Sequence, residues 1–120
     1  MLKKLLLIPI VLLFSFVGKI DAHGKLNWEN MIRKCEAKSN PGEPTRWHAN
    51  TGNDYYFGPQ FTYSTWRAYG GPKLIQVVGR VQGAVNLYAV PVPKIVQVAE
   101  NTYADQGPGA WPNCYRYLYS

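Results

Sequence analysis

Acidic residues are scarce in this 120-residue chain, and so are histidines and cysteines. Seven Asp and Glu stand against thirteen Lys and Arg, so the formal net charge is +6. This excess attracts polyanions, but the basic residues form no cluster of the kind that tracks a phosphate backbone, which argues against nucleic acid as a partner. The two histidines, His23 and His48, are far apart and lack supporting ligands, so we expect neither a metal site nor a cofactor.

One long apolar run is present, at the start of the chain. Two lysines precede residues 5–17, which contain no charge, and the small residue Ala22 closes the segment. This order is typical of a secretory signal peptide. A retained membrane anchor is the alternative, but an anchor needs about 20 apolar residues and Lys19 interrupts the run. We expect residues 1–22 to be a cleaved signal peptide, leaving one small secreted domain at 23–120 without a stable membrane anchor.

Only two cysteines are present, Cys35 and Cys114, near opposite ends of the expected mature domain. A redox pair would need a CxxC spacing and a zinc site would need further ligands, and the sequence offers neither. In an oxidising, exported compartment we therefore expect the two cysteines to form a structural disulfide. Closing so long a loop stabilises a small domain by about 4 kcal/mol in the chain-entropy description of disulfides.

Residues 26–36 have the pattern of a first helix. Asn27 is a good N-cap, and Glu29 lies in the first turn, where negative charge is favourable. A four-then-three spacing places three apolar residues on one helical face: Trp28, Ile32 and Cys35. Glu36 lies beside that face at the end of the helix, so we expect its side chain to be at least half buried.

Turn-forming residues divide the rest of the chain into short elements. In order, the sequence predicts a loop at 37–46, a tight turn or short hairpin at 50–56, a helix at 63–69 capped by Thr62, a linker at 90–93, a helix at 94–105 and a strand-like alternation at 115–119. Residues 74–88 leave two alternatives open. Their apolar side chains fit a helical stripe, which we favour, but the β-branched content, Gly79 and Gly83 argue for strands.

Several motifs in fixed order resemble the resuscitation-promoting factors, the transglycosylase-like domains of actinobacterial cell-wall enzymes. Each short match is weak alone, but together they cover nearly all of residues 27–114 and include both cysteines. The matching residues are Trp28, Cys35-Glu36, Trp47, Asn50-Thr51-Gly52-Asn53, Tyr55-Tyr56, Gln60-Phe61, residues 64–71, Gln97-Val98-Ala99-Glu100, Gln106-Gly107, Gly109-Ala110-Trp111-Pro112 and Cys114.

This resemblance implies a small, mainly helical α+β domain with a lysozyme-like fold, a short hairpin, a glycan cleft and one disulfide. It implies a secreted or wall-associated enzyme that cleaves the β-1,4 bond between N-acetylmuramic acid and N-acetylglucosamine in peptidoglycan. We also expect the enzyme to be a monomer. The catalytic residue of the family corresponds to Glu36, and its disulfide to Cys35–Cys114. The family's cleft residues correspond to Tyr55, Gln60, Thr65 and Gln106.

Glycosidic cleavage needs a proton for the leaving oxygen. A glutamic acid supplies that proton at neutral pH only if burial raises its pKa, as the expected position of Glu36 allows. A lytic transglycosylase needs one such residue, because the sugar's own C6 hydroxyl replaces water, whereas a muramidase often uses a second carboxylate. Asp54, Asp105 and Glu43 are more typical of turn or surface charges, so we favour the single-glutamate mechanism.

The sequence departs from the family at some cleft positions. Residues 57–60 read Phe-Gly-Pro-Gln where relatives have Gly-Gly-hydrophobic-Gln, and Thr62 stands where some relatives have Asp. Extra residues follow Glu36 and Gly71. Phe57 and Pro59 support an alternative hypothesis, a peptidoglycan-binding or antibacterial recognition protein that kept the fold without catalysis.

Overall fold

The computed structural model describes residues 26–119, so the predicted signal peptide lies outside the described residues. Helix α1 (Trp28–Met31) continues directly as a π-helix (Ile32–Glu36), and a long loop leads to the two strands of a hairpin. The remaining elements are β1 (Tyr55–Tyr56), β2 (Phe61–Thr62), α2 (Tyr63–Ala68), α3 (Ile75–Val78), a 3-10 turn (Leu87–Ala89), α4 (Val92–Gln106) and two further 3-10 helices (Gly107–Ala110 and Tyr115–Tyr119). Among the described residues, no helix has the length and apolar character needed to cross a membrane.

The predicted first helix is confirmed, with a change in its second half. The Asn27 side chain caps α1 by accepting a hydrogen bond from the Asn30 backbone at 3.0 Å. Beyond Met31 the hydrogen bonds span one residue more, as in the Ala37 N–H to Ile32 carbonyl bond at 3.0 Å, so the turn is wider than in an α-helix. The predicted apolar face holds, because Trp28 and Ile32 are buried.

The hairpin lies slightly later than the sequence predicted. Strands β1 and β2 pair antiparallel with Tyr55 opposite Thr62, so the turn consists of residues 57–60 and not of the preceding 50–54. Phe57 and Gln60 both adopt positive φ, at 66° and 61°. Left-handed backbone costs a non-glycine residue about 1–2 kcal/mol. At Phe57 this cost is offset because its side chain is fully buried. The centres of the Phe57 and Trp66 rings lie 4.2 Å apart.

The helix predicted at 63–69 is confirmed as α2, with Thr62 as its cap: the Thr62 hydroxyl accepts a hydrogen bond from the Thr65 backbone at 3.3 Å. The last helix, α4, begins at Val92, two residues before the predicted start, so residues 92–93 belong to it and not to a linker. A proline at 93 is tolerated there because the first turn of a helix does not use its backbone N–H groups.

The favoured helix over residues 74–88 is wrong. Only α3 is α-helical, and it ends where Gly79 takes a φ of 82°, while Leu87 and Tyr88 belong to the short 3-10 turn. Gly83 has a similar φ of 85°, and Leu74 pairs with Val85 in an isolated parallel bridge. The segment is therefore a closed loop. The two glycines supply backbone angles that neither a helix nor a strand can contain.

The strand-like alternation at 115–119 is also not a strand, because these residues form a 3-10 helix that packs under α1. The Asn27 N–H donates to the Leu118 carbonyl at 2.8 Å, and the Asn30 side chain donates to the Tyr117 carbonyl at 2.8 Å. The end of the described chain thus supports the helix that leads to Glu36.

The mainly helical α+β class with one disulfide is confirmed. One buried cluster joins α1, β2, α2, α4 and the last 3-10 helix with residues of the segments between them: Trp28, Met31, Phe57, Phe61, Trp66, Leu74, Leu87, Val90, Ile95, Val98, Ala99, Trp111, Cys114 and Leu118. Trp66 is fully buried, and its indole N–H donates to the Pro72 carbonyl at 2.8 Å, so α2 and the segment after it are held together around this ring.

The close approach of Gly71 to Trp66 gives a test of this packing. A Cβ at Gly71 would lie 2.1 Å from the indole ring, whereas a Cβ at Gly109 would meet nothing within 4 Å. We expect Gly71→Ala to lower the free energy of unfolding by at least about 2 kcal/mol, because the buried ring cannot move aside. Gly109→Ala, the control, should change it by less than about 0.5 kcal/mol. Urea denaturation of both variants measures this, and equal effects would contradict the packing argument.

Candidate active site

Glu36 lies at the end of the π-helix, and its side chain lines an open cavity of about 360 Å³. This volume falls within the range of small-molecule and sugar sites, roughly 300–1,000 Å³. The residues around the cavity come from three separate parts of the chain: Glu36, Asn53, Tyr55, Gln60, Ala110, Trp111, Pro112, Asn113 and Cys114.

Partial burial controls the acidity of Glu36. Loss of hydration disfavours the charged carboxylate and raises the pKa of Glu36 from its ordinary 4.5 to about 7. Within residues 26–119, no hydrogen bond or ion pair to a protein group offsets this effect. The carboxyl is therefore protonated in a large share of molecules at neutral pH and still faces the cavity, as a general acid requires.

The wall beside Glu36 is fixed by the disulfide. Cys35 and Cys114 are joined, with their Cα atoms 5.7 Å apart, so the predicted pairing is confirmed. The neighbouring Trp111 is held from two sides, because its indole N–H donates to the Pro59 carbonyl at 2.8 Å and its ring packs edge-on against Trp28 at 4.9 Å. The wall formed by residues 110–114 is thus anchored to both the first helix and the hairpin turn.

The hairpin forms the other wall. Asn53 precedes β1, and its side chain accepts a hydrogen bond from the Tyr55 backbone at 3.2 Å. Tyr55 is 43% exposed, so its side chain is accessible to a ligand. Gln60 is positioned by its positive φ and by a hydrogen bond from its amide to the Phe57 carbonyl at 3.1 Å. Tyr55 and Gln60 are therefore brought together with Glu36, as the sequence predicted.

Two predicted cleft residues are not among those that line the cavity. Thr65 lies in the first turn of α2, where its hydroxyl accepts a hydrogen bond from Thr62 at 3.0 Å. Gln106 ends α4 and donates to the Tyr69 hydroxyl at 3.1 Å, while Tyr69 in turn donates to Asp105. The Thr65 side chain is thus held by the nearby Thr62, and the Gln106 side chain by Tyr69, which is 37 residues away in sequence.

The cavity also contains amides that the sequence did not single out. Asn53 is part of the Asn50-Thr51-Gly52-Asn53 motif, so its position in the cavity beside Tyr55 could have been predicted from the sequence. Asn113 precedes Cys114, and only the disulfide brings it next to Glu36, so no local pattern marks it.

Glu36 is the only carboxylate among the lining residues of the described part of the chain. Asp54, next to Asn53, is exposed and does not line the cavity. Asp105 is bonded to Tyr69, and Glu43 accepts from the Asn40 backbone, which lowers the pKa of Glu43. The cavity therefore offers one titratable acid, surrounded by amides and aromatic rings.

The sequence of this domain matches a known family. The sequence model of the Transglycosylase-like domain family matches residues 22–114, so the chain belongs to that family. The lysozyme-like fold predicted from the motifs is confirmed by this membership.

Individual relatives are resuscitation-promoting factors. Rpf1 of Corynebacterium glutamicum is 39% identical over 88 residues, which are 73% of this chain and 37% of that relative. RpfE of Mycobacterium tuberculosis is 37% identical over 91 residues, covering 76% of this chain and 42% of the relative. RpfA of the same species is 38% identical over 94 residues, a match that covers 76% of this chain and 18% of that relative. The chain thus spans less than half the length of these relatives.

The raised pKa of Glu36 predicts a pH-dependent loss of stability. Between pH 4.5 and about 7 the unfolded chain ionises Glu36 before the folded protein does, so stability falls as the pH rises through this window. Glu36→Gln removes the titration. We expect the variant and the unchanged protein to melt at similar temperatures at pH 4, and the variant to melt higher at pH 8. Calorimetry across this range measures the difference, and a constant offset would contradict the assignment.

Proposed function

We propose that this domain cleaves the β-1,4 bond between N-acetylmuramic acid and N-acetylglucosamine in peptidoglycan, with Glu36 as the general acid. The observation that carries the proposal is a partly buried glutamic acid, with a pKa of about 7, facing a cavity in a transglycosylase-like domain. The Glu36 carboxyl gives its proton to the bridging oxygen as the bond from that oxygen to the muramic acid C1 breaks. Positive charge develops on the sugar ring, and the new carboxylate stabilises it.

The remaining cavity residues suit a sugar ligand. The exposed side chain of Tyr55 is available for stacking on a pyranose ring. The amides of Gln60, Asn53 and Asn113 can each donate to and accept from hydroxyl and N-acetyl groups. Thr65 and Gln106 do not line the cavity, and they remain predicted contacts for sugar units that extend beyond it.

The second step is assigned to the substrate's own C6 hydroxyl. Among residues 26–119, no second carboxylate lines the cavity to hold a water, whereas the C6 hydroxyl is covalently fixed beside the cationic C1. The oxygen of that hydroxyl attacks C1 while the Glu36 carboxylate takes its proton, which closes a 1,6-anhydro ring and restores the acid. No cofactor enters this sequence of steps.

The rival hypothesis, a binding protein without turnover, drew on the unusual residues of the hairpin turn. Phe57 and Pro59 are both buried, and neither lines the cavity. Their side chains fill the core beneath the turn and leave the space in front of Glu36 open. This arrangement supports catalysis over binding alone.

We further propose that the protein acts outside the cell, as a secreted or wall-associated monomer, after cleavage following Ala22. The charge of the mature chain would favour its approach to anionic wall polymers.

Removing the acid tests the catalytic role of Glu36. We expect Glu36→Gln to lower the rate of peptidoglycan lysis by at least 100-fold, because no other acid can protonate the leaving oxygen. The activity of the unchanged protein should fall as the pH rises through about 7, where Glu36 loses its proton. Turbidity of a purified wall suspension measures both, with exposed Glu43→Gln as the control. Retention of more than a tenth of the activity by Glu36→Gln would identify another residue as the acid.

The product distinguishes the two glycan-cleaving mechanisms. We expect muropeptides that end in 1,6-anhydro-N-acetylmuramic acid, which are lighter by one water than hydrolysis products. Mass spectrometry of digested walls reads this difference directly. Free reducing ends would instead indicate a hydrolase that uses a water from solvent, and soluble products from no tested wall would favour the binding protein.

A further inference from the structure

The closed loop at residues 75–88 carries an exposed apolar surface that the proposed catalysis does not use. Five large hydrophobic side chains form it, and we call them the loop patch: Val77, Val78, Val81, Val85 and Tyr88. They make up five of the eight most exposed large hydrophobics in residues 26–119, and none of them lines the cavity. Single exposed apolar residues are ordinary, but such a concentration in one loop marks an interaction surface.

The loop patch is held in place by the fold. Leu74 and Leu87, at the two ends of the loop, are fully buried. The Val85 N–H donates to the Lys73 carbonyl at 2.9 Å, and the Gln76 side chain accepts from the Leu87 N–H at 2.8 Å. Because the backbone is already ordered, a partner that covers the patch has little conformational entropy to remove.

The charged residues of the segment that contains the loop patch all have one sign. No Asp or Glu occurs between Asp54 and Glu100, while this stretch contains four basic residues: Arg67, Lys73, Arg80 and Lys94. Arg80 lies within the loop between Val78 and Val81, Lys73 lies at its base, and both are exposed. The loop therefore combines exposed apolar side chains with two exposed basic residues, Arg80 and Lys73.

Apolar side chains together with basic residues fit some binding partners better than others. Two copies meeting at the patch would bring Arg80 close to its own counterpart, and like charges oppose such a contact. A hydrated anionic polymer would satisfy the basic groups but would leave the valines in water. A bilayer with anionic lipids offers both an apolar interior and a negatively charged surface.

We propose that the loop patch docks onto anionic lipid bilayers, with the valines entering the headgroup boundary and Arg80 and Lys73 bound to lipid phosphates. Docking would hold the domain against a membrane while the cavity, which shares no residue with the patch, stays free for glycan. This inference does not depend on catalysis by Glu36, so it is tested without any wall substrate.

Sedimentation with lipid vesicles tests the proposal. We expect the mature protein to bind vesicles of phosphatidylcholine mixed with phosphatidylglycerol and to stay in solution with phosphatidylcholine alone. Arg80→Glu and Lys73→Glu should each weaken binding at least about fivefold, since a basic group at such a surface contributes about 1 kcal/mol. Lys38→Glu changes the net charge equally at an exposed position outside the loop and should have a much smaller effect.

The apolar contribution is measured separately. Combined Val77→Ser, Val78→Ser and Val81→Ser should weaken binding to the anionic vesicles at least as much as Arg80→Glu. Tyr88→Ser should weaken it more than Tyr115→Ser, whose side chain is also exposed but lies outside the patch. Circular dichroism checks that each variant is folded.

Three results would overturn the proposal. The first is the absence of binding to either kind of vesicle. The second is binding that the valine variants leave unchanged, which would indicate a purely electrostatic site for a hydrated polyanion. The third is a dimer in sedimentation velocity that the same valine variants abolish, which would make a second copy the occupant.

Discussion

The Cys35–Cys114 disulfide is the constraint on which the site depends. It closes a loop of 79 residues, which removes enough freedom from the unfolded chain to contribute about 4 to 5 kcal/mol. Its second effect is positional. Cys35 precedes Glu36 and Cys114 follows Asn113, so this one bond places Glu36 beside the wall formed by residues 110–114. The ring contact between Trp28 and Trp111 lies in the same region and keeps that geometry rigid.

The cavity contains features that a fold optimised for stability alone would avoid. Glu36 is partly buried without a partner among the described residues, and its raised pKa shows that its charged form is disfavoured there. Three non-glycine residues with positive φ, Asp54, Phe57 and Gln60, lie in or beside the hairpin that forms the other wall. Strained backbone of this kind persists only where the surrounding packing imposes it, and it concentrates at functional sites. The buried ring of Phe57 supplies much of that packing.

The acidic residues are distributed unevenly along the chain. The stretch from residue 55 to residue 99 has no acid, and it includes α2, the closed loop and the start of α4. Glu36 and the amides of Asn53 and Asn113 lie outside this stretch, whereas Tyr55 and Gln60, which also line the cavity, lie inside it. The proposed catalytic acid, Glu36, and the proposed lipid-docking surface therefore lie in different segments of a small domain.

Many structural features of this protein could be predicted from the local sequence. The cap at Asn27, the helix leading to Cys35 and Glu36, and the cap at Thr62 all follow from interactions within a few residues, and the structure contains each. The pairing of the cysteines followed because only two were present. Such features are determined locally, since a cap or a helical face depends on neighbours three or four positions away.

What the tertiary structure decided is where distant segments meet. The apolar stripe at 74–88 fitted a helix, yet Gly79 and Gly83 turn the chain and leave Val77 and Val81 exposed, because only Leu74 and Leu87 find space in the core. The disulfide brings Asn113 to the cavity. Thr65 and Gln106 do not line the cavity, because Thr65 is hydrogen-bonded to Thr62 and Gln106 to Tyr69. Periodicity reports which side chains could be buried together. Which of them are buried depends on the space that the packed tryptophans leave, and that space exists only once the chain has folded.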